Sequence, residues 1–156
     1  MKKLAFVVMF ALMSVACFAQ NIYSSVSAQT IANLMKQEGY SVVNDNGLIR
    51  WKIDGYDTFI AFSDGNKYNN TNFVFRINFD LDEDDIANAL VLSNEYHKKW
   101  KGGKSYVDQR TDGSYLVSYE LMINIHKGVT EANILNFFQL CRFGIETWKE
   151  GVVDQL

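Results

Sequence analysis

The sequence predicts an α+β domain: a twisted antiparallel β-sheet with helices packed on it, in the order α-β-β-β-β-α-β-β-α. Three observations lead there. Runs such as Ile49, Trp51, Ile53 and Phe73, Phe75, Ile77, Phe79 alternate with polar residues, as half-buried strands do. Asn46-Gly47, Asp54-Gly55 and Asp112-Gly113 punctuate these runs with hairpin turns. Three longer stretches carry apolar residues at helical spacing instead. The 156 residues are 48% apolar and 21% charged, which fits one globular domain and excludes a disordered or collagen-like chain. There is no proline, internal repeat or linker.

The first element is not part of the fold. Met1-Lys2-Lys3 is a basic start, Leu4 to Val15 an apolar run, and Ala16-Cys17-Phe18-Ala19 a small-residue ending. This is the layout of a secretory signal peptide over residues 1–19, cut before Gln20. A run of twelve residues is too short for a transmembrane span, which needs about 20. A lipoprotein anchor at Cys17 is the rival, disfavoured by Ser14 where such signals usually carry leucine. The two-lysine leader has a bacterial look, so the expected compartment is the periplasm or the cell exterior. Residues 20–156 then form a single domain. Losing Lys2 and Lys3 takes the formal net charge from −3 to −5, so the basic footprint of a nucleic-acid binder is missing. Cys141 remains as a single thiol on an apolar helical stripe, where burial is expected.

Ser27 to Glu38 reads as the first helix, with Ser27 as cap and Gly39 as stop. Strands are expected over Tyr40–Val43, Leu48–Ile53, Tyr56–Ser63 and Asn72–Phe79, with a loop at 63–71 that holds Tyr68. Asp82 to Lys99 reads as the second helix, acidic at its start and basic at its end, matching the helix dipole. A hairpin of Lys104–Arg110 and Ser114–Asn124 follows. Thr130 caps the third helix, which runs to about Lys149 with Ile134, Leu135, Phe137, Phe138, Leu140, Cys141, Ile145 and Trp148 as its apolar stripe.

The second half carries a combination of motifs. Asn94-Glu95-Tyr96-His97 leads to Lys104-Ser105-Tyr106-Val107-Asp108, then to Asp112-Gly113-Ser114-Tyr115-Leu116 and Tyr119-Glu120-Leu121. Lys127-Gly128-Val129-Thr130-Glu131-Ala132-Asn133-Ile134 opens the last helix. In the first half, Glu38-Gly39-Tyr40 and Asn46-Gly47-Leu48-Ile49 fit the same pattern. In this order they resemble the YbjN-domain family of bacterial sensory transduction regulators, over essentially the whole processed chain. The resemblance implies a fold similar to secretion chaperones. It also implies protein binding, often as dimers, and offers no catalytic residues to carry over.

No chemistry-bearing motif stands out. There is no Gly-x-Ser-x-Gly nucleophile elbow, no His-Glu-x-x-His and no Cys-x-x-Cys. Asp80, Asp82 and Asp84 match the start of a calcium loop, but Asp85 stands where glycine is needed and Val91 where glutamate is needed. Gly103-Lys104-Ser105 lacks the upstream glycine and the preceding strand of a phosphate loop. His97 reads as a solvated charge at a helix end, and His126 as a turn residue. Tyr23, Tyr68, Tyr96 and Trp100 fall where aromatic rings are exposed, a pointer to a contact surface. The expectation is a non-catalytic domain without cofactor or metal. It binds an unidentified protein partner, or a second copy of itself, through Arg50, Lys52, Arg76, Tyr68 and Trp100. The alternative is a small-molecule or lipid binder with a pocket between the sheet and the C-terminal helix.

Overall fold

A computed structural model describes residues 22–23, 26–62, 72–125 and 128–156. The predicted leader (residues 1–19, with Cys17), Tyr68 and His126 lie outside the described residues. The strands are β1 (Ile22–Tyr23), β2 (Val42–Asp45), β3 (Leu48–Ile53), β4 (Tyr56–Phe62), β5 (Asn72–Leu81), β6 (Lys104–Gln109), β7 (Tyr115–Asn124) and β8 (Val129–Thr130). The helices are α1 (Ala28–Gln37), α2 (Ile86–Lys99) and α3 (Glu131–Gly151). Six strands form one antiparallel sheet in the order β2-β3-β4-β5-β7-β6. The two-residue strands β1 and β8, which periodicity is too short to reveal, pair separately.

Local chemistry explains most boundaries. The Ser27 side chain accepts from the Thr30 N–H at 3.1 Å, and Thr130 accepts from the Asn133 N–H at 3.2 Å. Two tight hairpins place Asn46, Gly47, Asp54 and Gly55 at positive φ, as their turn residues allow. β2 starts at Val42 instead of Tyr40, because the Tyr40 N–H donates to Met35 O at the end of α1. The second helix is split. Glu83–Asp85 form a 3₁₀ turn and the α-helix begins at Ile86, with no side-chain cap at either start. β5 runs on to Leu81 because its pairing with β7 continues to Tyr115.

All three helices contribute to one core on one face of the sheet. Trp51, Phe73, Phe75, Ile77 and Tyr119 rise from the strands, and Ile134, Phe138, Ile145 and Trp148 descend from α3. Phe138 meets Trp51 edge-on at 6.1 Å, Phe137 meets Phe73 at 5.1 Å, and Trp148 stacks on Tyr119 at 5.8 Å. These rings occupy the space in which a pocket between sheet and C-terminal helix was expected. Leu140 leaves the predicted stripe and stands 57% exposed. Tyr96 does the reverse: it is buried against Tyr119, and Tyr23 is half-buried. A buried polar chain joins the layers. Ser93 and Ser105 hydroxyls meet at 2.7 Å, and Trp148 Nε1 donates to Ser105 Oγ at 2.8 Å.

Candidate functional site: the uncovered sheet face

The second face of the large sheet, which no helix among the described residues covers, carries the predicted basic residues. One register row crosses all six strands: Val43, Arg50, Phe59, Arg76, Glu120 and Lys104. The next row along the strands contains Ala61, Val74 and Met122. Val43 is 62% and Met122 52% exposed, with Phe59, Ala61 and Val74 half-buried between them. An antiparallel sheet can leave one face to water. Here that face is part apolar and part charged.

The structure places Arg50, Lys52 and Arg76 on this face, as the alternation predicts, but none of the three is a free cation. Arg50 pairs with Asp45 at 3.6 Å and Lys52 with Asp57 at 3.4 Å. Arg76 Nη2 lies 2.6 Å from Glu120 Oε2, which also accepts from the Tyr106 hydroxyl at 3.2 Å. The Arg76 guanidinium sits 5.8 Å from the Tyr106 ring centre. Burial alone would pull the Arg76 guanidinium down, but the Glu120 hydrogen bond and charge outweigh it, so the net shift is upward. Burial pushes the Tyr106 phenol up, against the opposing pull of Arg76. Asn78 accepts from the Ser118 hydroxyl in the adjoining row at 2.9 Å. Arg50, Lys52 and Arg76 are therefore each held in an ion pair. A docking segment would have to match or exchange those pairs.

Trp100 belongs elsewhere. It stands at the exit of α2 in the helical layer, 40% exposed, and meets Phe143 edge-on at 5.7 Å. It borders a groove of about 560 Å³ between α2 and the end of α3, also lined by Leu92, Tyr96, Thr147 and Glu150. Sequence reasoning missed Val43, Phe59, Met122 and Phe143. The first three share a sheet face with the arginines through the cross-strand register. Phe143 sits among stripe residues and gives no separate signal.

The remaining candidates have ordinary roles. His97 is exposed at the end of α2, and its Nε2 accepts from the Ser105 N–H at 2.8 Å. This uses up an outward N–H of β6, which blunts that sheet edge. Asp80, the first of the alternating acids, is ion-paired to Arg110 at 2.5 Å. Cys141 is buried, and burial pushes its thiol well up. Among the described residues, no group of three metal-ligating side chains converges, and no helix is long and apolar enough to cross a membrane.

Among solved structures, YbjN of E. coli, described as a putative transcription regulator, superimposes with a TM-score of 0.73 at 14% identity, covering 87% of this chain and 98% of that one. An uncharacterised protein from Methanothermobacter thermautotrophicus aligns with a TM-score of 0.47 at 14% identity, over 78% of this chain and 94% of its own. The HopA1-SchA chaperone-effector complex contributes a chain with a TM-score of 0.45 at 12% identity, over 72% and 90%. No curated protein matches the sequence. The profile of the YbjN family, described as "Putative bacterial sensory transduction regulator", matches residues 27–151, and the chain belongs to that family.

Proposed function

We propose that this chain is an exported, non-catalytic protein-binding domain of regulatory or chaperone-like type, which holds its partner against the uncovered sheet face. The observation that carries this reading is the row from Val43 to Lys104 beside Met122. It presents exposed apolar side chains next to preset ion pairs on a rigid sheet, the mixture that protein interfaces use. The non-catalytic part is supported by Arg76 and Tyr106 both being held on the one Glu120 carboxylate. The export part rests on the leader layout of residues 1–19.

The test immobilises the protein, passes envelope extract over it, and identifies what is retained against an unrelated acidic control. One enriched protein, lost in the exposed double variant Arg50→Glu/Met122→Asp with its fold intact by circular dichroism, is the expected result. Retention that ignores the double variant, or none even with crosslinking, would overturn the reading. A second reading, a site for an apolar small molecule, moves to the groove between α2 and α3, whose 560 Å³ is within the usual range for such sites of about 300–1,000 Å³. A thermal-shift screen that responds to apolar ligands, and is abolished by Trp100→Ala, would favour it.

A further inference from the structure

We propose that the groove between α2 and the end of α3 binds a zwitterion with an apolar body: a free α-amino acid with a large apolar side chain. The proposal rests on the second reading above, that this groove takes a small molecule, and assigns the class of that molecule. Leu92, Tyr96 and Trp100 give the groove its apolar lining. Trp51 and Trp148 are buried, so Trp100 is the tryptophan that a ligand can reach. Phe143 meets its ring edge-on at 5.7 Å, which sets that wall in place before anything binds.

The polar lining says what the ligand must carry. Most of it is already engaged. Glu95 is ion-paired to Lys98. The Thr147 hydroxyl lies 3.1 Å from the carbonyl oxygens of Phe143 and Gly144, and Gln155 Nε2 donates to the Glu150 carbonyl at 3.2 Å. Lys99 and the Glu150 carboxylate remain. Both are exposed and both line the groove, Lys99 from α2 and Glu150 from α3. Among the described residues neither has an ion-pair partner, and they do not pair with each other. The other charges nearby, Lys101, Arg142 and Glu146, do not line the groove. A ligand of one sign would answer one of the two groups and meet a like charge in the other. A neutral ligand would answer neither. A zwitterion answers both, its carboxylate toward Lys99 and its ammonium toward Glu150, through charge-assisted hydrogen bonds, the stronger kind. Its side chain then lies against Leu92 and Trp100, where an aromatic ring gains most.

Titration of the purified protein with L-phenylalanine up to about 20 mM, followed by amide and indole NMR shifts, tests it over a span that reaches millimolar dissociation constants. The expected result is a saturable shift of the Trp100 indole N–H and the Gly151 amide. Phenethylamine and 3-phenylpropionate, which each lack one charge, should bind about tenfold more weakly. Lys99→Gln and Glu150→Gln, with spectra unchanged away from the groove, should each weaken L-phenylalanine by about tenfold. Arg50→Glu/Met122→Asp, on the far sheet face, should leave it unchanged. Shifts confined to other parts of the molecule, or affinity indifferent to both Lys99→Gln and Glu150→Gln, would overturn the proposal. The uncharged N-acetyl-L-phenylalanine amide binding as tightly as L-phenylalanine would overturn the zwitterion and leave the groove an apolar site. No saturable shift from any of the four probes would overturn the groove reading with it.

Discussion

Gly144 sits in the interior of α3, where alanine normally stabilises a helix by about 1 kcal/mol over glycine. Gly144→Ala is predicted to destabilise instead. An added Cβ would overlap the Tyr119 hydroxyl and lie 2.8 Å from Tyr119 Cζ. The ring has little room to retreat. Its far edge rests on Gly103, whose own Cβ would overlap the same ring, and Trp148 stacks on it with 29° between the planes. Tyr96 closes a third side at 6.1 Å. Overpacking of a fixed core group costs about 1–3 kcal/mol, and this confinement argues for the upper end. Subtracting the helical gain leaves a net loss of about 2 kcal/mol. Urea unfolding followed by tryptophan fluorescence should show the midpoint lowered by about 1 M at an ordinary slope. Tyr119→Phe removes the atom that meets the Cβ first, so the double variant should recover part of the loss, a coupling readable from a double-mutant cycle. Gly144→Ala as stable as the parent, or no coupling to Tyr119→Phe, would refute the confinement argument.

Three further outcomes follow from named contacts. His97→Ala removes the acceptor of the Ser105 N–H and should cost about 1 kcal/mol, with faster amide exchange at Ser105 as the specific readout. Thr130→Ala removes the cap of α3 and should cost about 1 kcal/mol in the same urea assay, while Thr130→Ser should cost little. The Cys141 thiol should react with a thiol reagent only after unfolding. Its folded pKa is raised by burial, so the native state keeps a proton that the unfolded chain releases above about 8.5. Stability is then full below that pH and falls as pH rises past it, and Cys141→Ala should flatten the slope between pH 8 and 10, a window set by that reference value of about 8.5.

Much of the fold was legible because its signals act over a few residues. Period-two alternation marked β3, β5 and β7, and the turns between them bounded the other strands of the large sheet. The Asn-Gly and Asp-Gly pairs set their hairpins, and Ser27 and Thr130 set two helix starts. The same alternation put Arg50, Lys52 and Arg76 on one face. It could not show that each arginine and lysine would find a carboxylate. Asp45 and Asp57 come from hairpin partners, but Glu120 lies 44 positions from Arg76 and arrives only when β7 pairs with β5. The polar side of α2 was misread for a related reason: Tyr96 is buried because Tyr119 of β7 and Thr147 of α3 pack against it, not because of its neighbours in sequence.

Strand order separates the two kinds of information most clearly. The sequence alone determined that β6 and β7 form a hairpin, since the Asp112-Gly113 turn joins them directly. It left open which of the two would adjoin β5. Only the tertiary structure decided for β7, whose ten residues pair with β5 along their whole length, while the shorter β6 takes the edge where α2 and His97 shield it. The tertiary structure likewise decided which sheet face stays open and which apolar residues of α3 stay outside. The physical reason is range. Turns, caps and periodicity are settled by contacts within a few residues, whereas burial depends on what the rest of the chain lays over a surface. Phe143 and Phe138 look alike along the helix, and only the sheet beneath α3 tells them apart.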